Sequence, residues 1–137
     1  MQTARTESAP VRTSADVVSV RHLVRRCAVA LGFTLVEQTK IVTAASELAR
    51  NMIDYGGGGE LLVESLEDGS RKGLRLTFED HGPGIADIDA ALRDGYTTGS
   101  GMGLGLGGSK RLSNEFDIRS APGEGTRVRI TRWKGAS

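Results

Sequence analysis

Apolar residues at Val17, Val20, Leu23, Val24, Cys27, Ala28 and Leu31 return every three or four positions, the repeat of one α-helical face. Ser14 stands ahead of this run as a candidate N-cap and Gly32 behind it as a stop, which predicts a first amphipathic helix. A second follows at once. Thr34 with Glu37 three residues on has the capping-box pattern, and Ile41, Ala45, Leu48 and Met52 form one stripe that ends at the glycine run 56–59. Beyond it, Glu60–Leu66 and Gly73–Asp80 read as the strands of a hairpin turning at Asp68-Gly69. A short helix over Ile88–Arg93, another over Leu106–Leu112, and strands Phe116–Ser120 and Thr126–Trp133 about the turn Ala121–Gly125 complete the pattern. Residues 1–10 are polar and aperiodic and are expected to be a mobile leader, with a short strand candidate at Val11–Thr13; residues 11–137 are expected to form one domain. The order predicts an α+β two-layer sandwich: a mainly antiparallel mixed sheet with helices on one face.

Composition narrows the partners. The chain has 137 residues, 18 basic and 17 acidic, for a net charge of +1. No global field draws it to nucleic acid or to an anionic membrane. No apolar run approaches the roughly 20 residues of a membrane span, and the start lacks the charged, apolar, small-residue order of a signal peptide; a cytoplasmic protein is expected. The single Cys27 falls on the apolar face of the first helix and reads as a buried structural thiol. Glycines number 19 and concentrate between Gly56 and Gly125, where the candidate chemistry lies.

Three clusters carry that chemistry. On the second helix, Glu47 and Asn51 lie some 40° apart around the axis, at the edge of the apolar stripe. A carboxylate there can take a proton and an amide oxygen can ligate Mg²⁺, a hard cation that arrives with phosphates; a solvated helix flank is the plainer alternative. In the strand ending at Asp80, Leu74, Leu76 and Phe78 share one parity, which turns Asp80 to the apolar side. Its carboxylate there needs a donor, either an exocyclic amine such as adenine's, with Gly82 and Gly84 admitting a flat ring, or the backbone of the following Asp-x-Gly turn. Thr126 has the parity of Val128 and Ile130, so its hydroxyl converges on the same place. Between Gly95 and Gly108 lie seven glycines interleaved with Met102, Leu104 and Leu106. Bare backbone amides leading into a helix can wrap phosphate oxygens, whereas a plain flexible linker seldom alternates so strictly. Lys110 lacks the upstream glycine spacing of a P-loop. His81 has no recognisable catalytic role, and His22, with no partner in sequence, reads as a surface or core histidine.

The order of helix with Glu47 and Asn51, Asp80-x-Gly82-x-Gly84, glycine lid and Gly125-Thr126 resembles the GHKL nucleotide-binding fold of gyrase, heat-shock chaperones, histidine kinases and MutL. Within it, the segments 46–51, Lys72-Gly-Leu74, 79–85, Asp94-Gly-Tyr96, 107–112 and Asn114-Glu-Phe116 are similar to the RsbT-like switch serine/threonine kinases. The resemblance implies Mg²⁺-ATP as cofactor, with Asn51 on the metal and Asp80 on the adenine amine. It places Gly82, Gly84, Ile85 and Thr126 around the base, and Gly99, Gly101, Met102, Gly103, Leu104, Gly105 and Leu106 in the lid over the phosphates. Glu47 becomes the general base for a Ser or Thr hydroxyl on a STAS-domain antagonist protein in a partner-switching module. The family also implies a metal-dependent phosphatase or a sigma factor as a further partner. The alternative is a nucleotide-gated binding module, an anti-sigma factor or phosphatase activator with little phosphotransfer. His81, Met102 and Leu104 depart from the pattern at its rim.

Overall fold

The computed structural model describes residues 1–85, 87–92 and 106–136. Strand β1 (Gln2–Val11) is followed by helices α1 (Ser14–Ala30) and α2 (Leu35–Gly56). The hairpin β2 (Gly59–Asp68) and β3 (Arg71–Asp80) comes next, then α3 (Ile88–Ala91), α4 (Leu106–Arg111), β4 (Glu115–Ser120) and β5 (Thr126–Trp133). The five strands form one sheet in the order β1-β2-β3-β5-β4, and every pairing is antiparallel. The expected sandwich is thus present, without a parallel pair among the described strands.

The two strong periodicities explain the layers. Val17, Val20, Val24 and Ala28 of α1 and Ile41, Ala45, Leu48 and Met52 of α2 are buried together with Leu61 and Val63 of β2, Leu74, Leu76 and Phe78 of β3, and Val128 and Ile130 of β5. Each fully buried aliphatic side chain contributes roughly 1.5–3 kcal/mol, so this shared core sets the register of the sheet beneath the helices. Helix α2 starts as its sequence predicts: the Thr34 hydroxyl accepts from the Glu37 amide at 3.2 Å and the Glu37 carboxylate from the Thr34 amide at 2.8 Å. It ends at Gly57, whose φ of 75° few other residues adopt at low cost.

Two expectations are corrected. The N-cap of α1 is Thr13 rather than Ser14; Thr13 and Asp16 close a second capping box, which leaves Ser14 inside the first turn. Residues 2–11 are an edge strand paired along β2, not a leader, and the short strand expected at Val11–Thr13 is its last residue plus the cap. An edge strand takes its stability from one ladder of main-chain bonds and needs little apolar periodicity. Only Val11 of β1 is buried. Its inward Glu7 meets charge instead of hydrocarbon, binding Arg26 at 3.1 Å and accepting the Cys27 thiol at 3.4 Å. Burial, then the Glu7 bond, push that thiol's pKa up, which suits the structural part expected of Cys27.

Candidate functional site: a pocket between α2 and the ends of β3 and β5

The last two turns of α2 lie over the end of the β3–β5 ladder. Leu48 and Met52 anchor them in the core, which sets the rotation of the helix. That rotation leaves Glu47 exposed and Asn51 half-buried on the adjoining edge. The Asn51 Nδ2 atom is buried without a hydrogen-bond partner among the described residues. Such an atom loses water without compensation, a cost of about 1–3 kcal/mol that a ligand can remove.

Asp80 and Thr126 are register partners across β3 and β5, as their parities predict, and Asp80 is 8% exposed. Its Oδ1 accepts from the amides of Gly82 at 2.9 Å and Thr126 at 3.2 Å. The turn-capping alternative is therefore realised, but by one oxygen only. Oδ2 takes no hydrogen bond among the described residues. The turn reading of Asp80 is met at Oδ1, and Oδ2 is left uncommitted among the described residues.

Gly82 and Gly84 have a packing use beside the expected admission of a flat ring. A Cβ on Gly82 would sit 2.6 Å from the Gly56 main chain, and one on Gly84 2.0 Å from the Ala121 carbonyl oxygen. These glycines let the β3 turn press against the end of α2 and the β4–β5 turn. Gly56 is under the same constraint, since its Cβ would stand 2.3 Å from Asp80 Oδ2.

Asn51, Asp80, Gly84, Ile85, Leu106 and Thr126 line one pocket, walled by Leu48, Met52, Tyr55, Gly56, Phe78 and Val128. An apolar slot with three convergent polar side chains suits a flat heterocycle carrying an amino group. Gly82 lies behind the wall rather than in it. Glu47 lies outside too: it lines a neighbouring groove with Ser14, Val17, Val18, Arg21, Ser46 and Arg50, which meets the pocket at Asn51. Gly99, Gly101, Met102, Gly103, Leu104 and Gly105 lie outside the described residues. Glu47 Oε2 comes within 3.6 Å of where a Cβ on Gly108 of α4 would stand, so the base candidate faces the helix that follows the lid sequence.

Sequence reasoning missed Gly56, Tyr55 and Ser120. Ser120 shares the inward parity of Phe116 and Ile118, a signal that could have placed it; Gly56 was read only as the end of a helix. The Ser120 hydroxyl accepts the Ile85 amide at 2.7 Å, lies 2.9 Å from the Gly125 carbonyl oxygen and 2.8 Å from Thr126 Oγ1.

Among the described residues no helix is long and apolar enough to cross a membrane. The family model of the histidine kinase-, DNA gyrase B-, and HSP90-like ATPases matches residues 36–135, from the first turn of α2 through β5. The chain is 46% identical over 123 residues to the serine/threonine-protein kinase RsbT of Bacillus subtilis, covering 90% of this chain and 92% of that protein. It is 31% identical over 121 residues to the anti-sigma F factor of a Thermoanaerobacter species, covering 85% and 84%. In fold it is similar to the RsbU and RsbW domains of a Mycobacterium tuberculosis protein, with a TM-score of 0.62 and 18% identity over 98% of this chain and 34% of that one. The pocket that α2 closes over Asp80 and Thr126 thus sits within a family match spanning most of the chain, and the chain belongs to the histidine kinase-, DNA gyrase B- and HSP90-like (GHKL) ATPases, among relatives that include the RsbT kinase.

Proposed function

We propose that the protein is an ATP-dependent serine/threonine kinase of a cytoplasmic partner-switching module, and that its substrate is a Ser or Thr on a STAS-domain antagonist protein. The observation that carries this reading is the division of labour about Asn51: a pocket with an unspent carboxylate oxygen on one side, and a groove with an exposed carboxylate on the other. The adenine amine donates to Asp80 Oδ2 within the apolar walls, and the triphosphate runs toward Asn51. The unpartnered terminus of Asn51, turned so that its oxygen faces the phosphates, fits a Mg²⁺ ion. No cluster of three His, Cys, Asp or Glu stands among the described residues, and Asn51 is the side chain that would hold the ion together with the phosphates it arrives with. Bound there, Mg²⁺ supplies charge neutralisation to the phosphates.

The acceptor hydroxyl enters by the Glu47 groove. Its oxygen bonds to the γ-phosphorus as the bond to the β–γ bridging oxygen breaks, and its proton passes to the Glu47 carboxylate. Arg21 and Arg50 flank that path. A phosphate added to the antagonist's docking surface then opposes rebinding through desolvation and charge, which frees the antagonist's partner, a phosphatase regulator or a sigma factor. The lid residues 99–106 complete the phosphate site in this reading.

Kinship with an anti-sigma F factor favours a second reading, a nucleotide-gated module that holds a sigma factor or activates a phosphatase with negligible transfer. One experiment separates them: the protein is incubated with Mg²⁺-ATP and the STAS-domain proteins of its own organism, and transfer is read by intact mass. One added phosphate on an antagonist is the expected result. Bound ATP with no transfer to any of them selects the second reading.

A further inference from the structure

We infer that Ser120 is a positioning residue for recognition of the base: it turns the Thr126 hydroxyl into an acceptor, so that the pocket selects a six-membered ring carrying an amino group and rejects one carrying a carbonyl. The inference rests on the reading above that an adenine lies at Asp80 and Thr126.

The argument is an inventory of protons. A serine hydroxyl has one hydrogen to give and two lone pairs to receive. Ser120 Oγ has three neighbours: the Ile85 amide at 2.7 Å, which can only donate, the Gly125 carbonyl oxygen at 2.9 Å, which can only accept, and Thr126 Oγ1 at 2.8 Å, which can do either. All three contacts are satisfied together in one arrangement. Ser120 gives its hydrogen to Gly125, receives Ile85, and receives the Thr126 hydrogen with its second lone pair. Thr126 has then spent its single proton on Ser120, away from any ligand. Reversing the Ser120–Thr126 bond takes the hydrogen from the Gly125 carbonyl, so the arrangement resists reversal.

The side of Thr126 that lines the pocket therefore offers lone pairs only. Across the ladder, Asp80 Oδ2 offers the same, because its partner oxygen already holds the amides of Gly82 and Thr126. Two acceptors face the pocket from register-paired residues. An exocyclic amine donates to this edge. A carbonyl oxygen in its place meets lone pairs on both sides. Ser120 makes no contact with the base itself. It acts by fixing the proton of Thr126 and by tying the turn at Ile85 to β5.

The test is the ratio of affinities for ATP and inosine triphosphate, which carry an amine against a carbonyl at C6 and a bare nitrogen against an N–H at N1, so that the change in the ratio between variants is what is read; it is measured by calorimetry with Mg²⁺ on the full chain. Wild type is expected to favour ATP. Ser120→Ala releases the Thr126 proton to serve a carbonyl and is expected to narrow the ratio by about five- to tenfold; Ser120→Thr, which keeps the hydroxyl, restores it. Thr126→Val is expected to narrow the ratio by a similar amount, and adding Ser120→Ala to it to change the ratio no further. A merely structural Ser120 would weaken both nucleotides equally. An unchanged ratio in Ser120→Ala, or in Thr126→Val should the first variant not fold, overturns the inference while leaving the adenine site standing. Wild type that binds neither nucleotide overturns the adenine reading and this inference with it.

Discussion

The β3–β5 ladder has two ends, Gly73 opposite Trp133 and Asp80 opposite Thr126, and they are finished in opposite ways. At the first, the Trp133 ring lies on Gly73, where a Cβ would come within 2.6 Å of it, and Arg71 stacks above the ring at 4.0 Å. The indole N–H donates to Glu115, the Trp133 amide to Asn114 Oδ1 at 2.6 Å, and the Gly135 amide to Glu37 at 2.6 Å. Arg132 donates to the carbonyls of Leu112 and Ala136, and its Nε has no partner among the described residues. At the second end, a carboxylate oxygen of Asp80 and the amide of Asn51 face a pocket with their capacity unspent among the described residues. Burial does not distinguish the ends, since Trp133 is 5% and Asp80 8% exposed. Each end keeps one buried N–H without a partner among the described residues, and what distinguishes the second is that its unspent groups converge on a pocket, where a ligand can meet them.

Helix α2 joins the two ends, so substitutions along it and along the ladder should fall into two classes. The largest effect belongs to Glu47→Ala. Loss of a general base should lower phosphotransfer by about 10²–10⁴-fold while ATP affinity stays within twofold, because Glu47 lies in the groove and not in the pocket. Intact-mass time courses and calorimetry check both halves; transfer at the wild-type rate would remove Glu47 from the chemistry. At the closed end, Trp133→Ala should destabilise the fold by about 3 kcal/mol, as loss of a buried indole generally does. The folded fraction should bind ATP as before. Urea unfolding measures the first part, and a drop in affinity at saturating folded protein would mean the ends are not independent.

Asp80→Asn comes next. The amide keeps an oxygen for the Gly82 and Thr126 amides but sets a donor against the adenine amine, so ATP should bind about thirtyfold more weakly with stability changed by less than about 1 kcal/mol. Equal affinity in calorimetry would take Asp80 out of the pocket. This residue also marks how far the sequence could be read. Strand parity alone turned Asp80 and Thr126 inward together, and the stripe of α2 placed Asn51 at the seam, because both are consequences of local period. Local period has no term for contacts between turns. The sequence therefore could not say that Gly82 and Gly84 also make room for Gly56 and Ala121, nor that Ser120 stands behind Thr126. It was silent on β1 for a related reason, as a strand that meets Arg26 and Cys27 through Glu7 carries no apolar alternation. Glu47 illustrates the opposite limit, since its helical phase was legible but its separation from the pocket depends on α1 and α4.

The smallest expected effect tests whether α2 transmits anything between the ends. Burial would raise the Glu37 carboxyl, but the amides of Thr34 and Gly135 and the Thr34 hydroxyl outweigh it and hold its pKa below the usual glutamate value. A depressed folded-state pKa means that ionised Glu37 adds stability above the unfolded-chain value, and that this is lost as pH falls through the folded one. Glu37→Gln should therefore cost about 1 kcal/mol near pH 7, where a charge-assisted cap is replaced by a neutral one. The gap from wild type should close as the medium is acidified below the ordinary glutamate range, while ATP affinity at pH 7 is unchanged. Unfolding curves taken from pH 7 to 3 measure the closing gap, and one that stays constant with pH would mean the cap works through shape and not charge. A fall in ATP affinity would be the more instructive failure. It would show that fixing the first turn of α2 positions Asn51 some four turns away, and the finished end of the ladder would then count as part of the site.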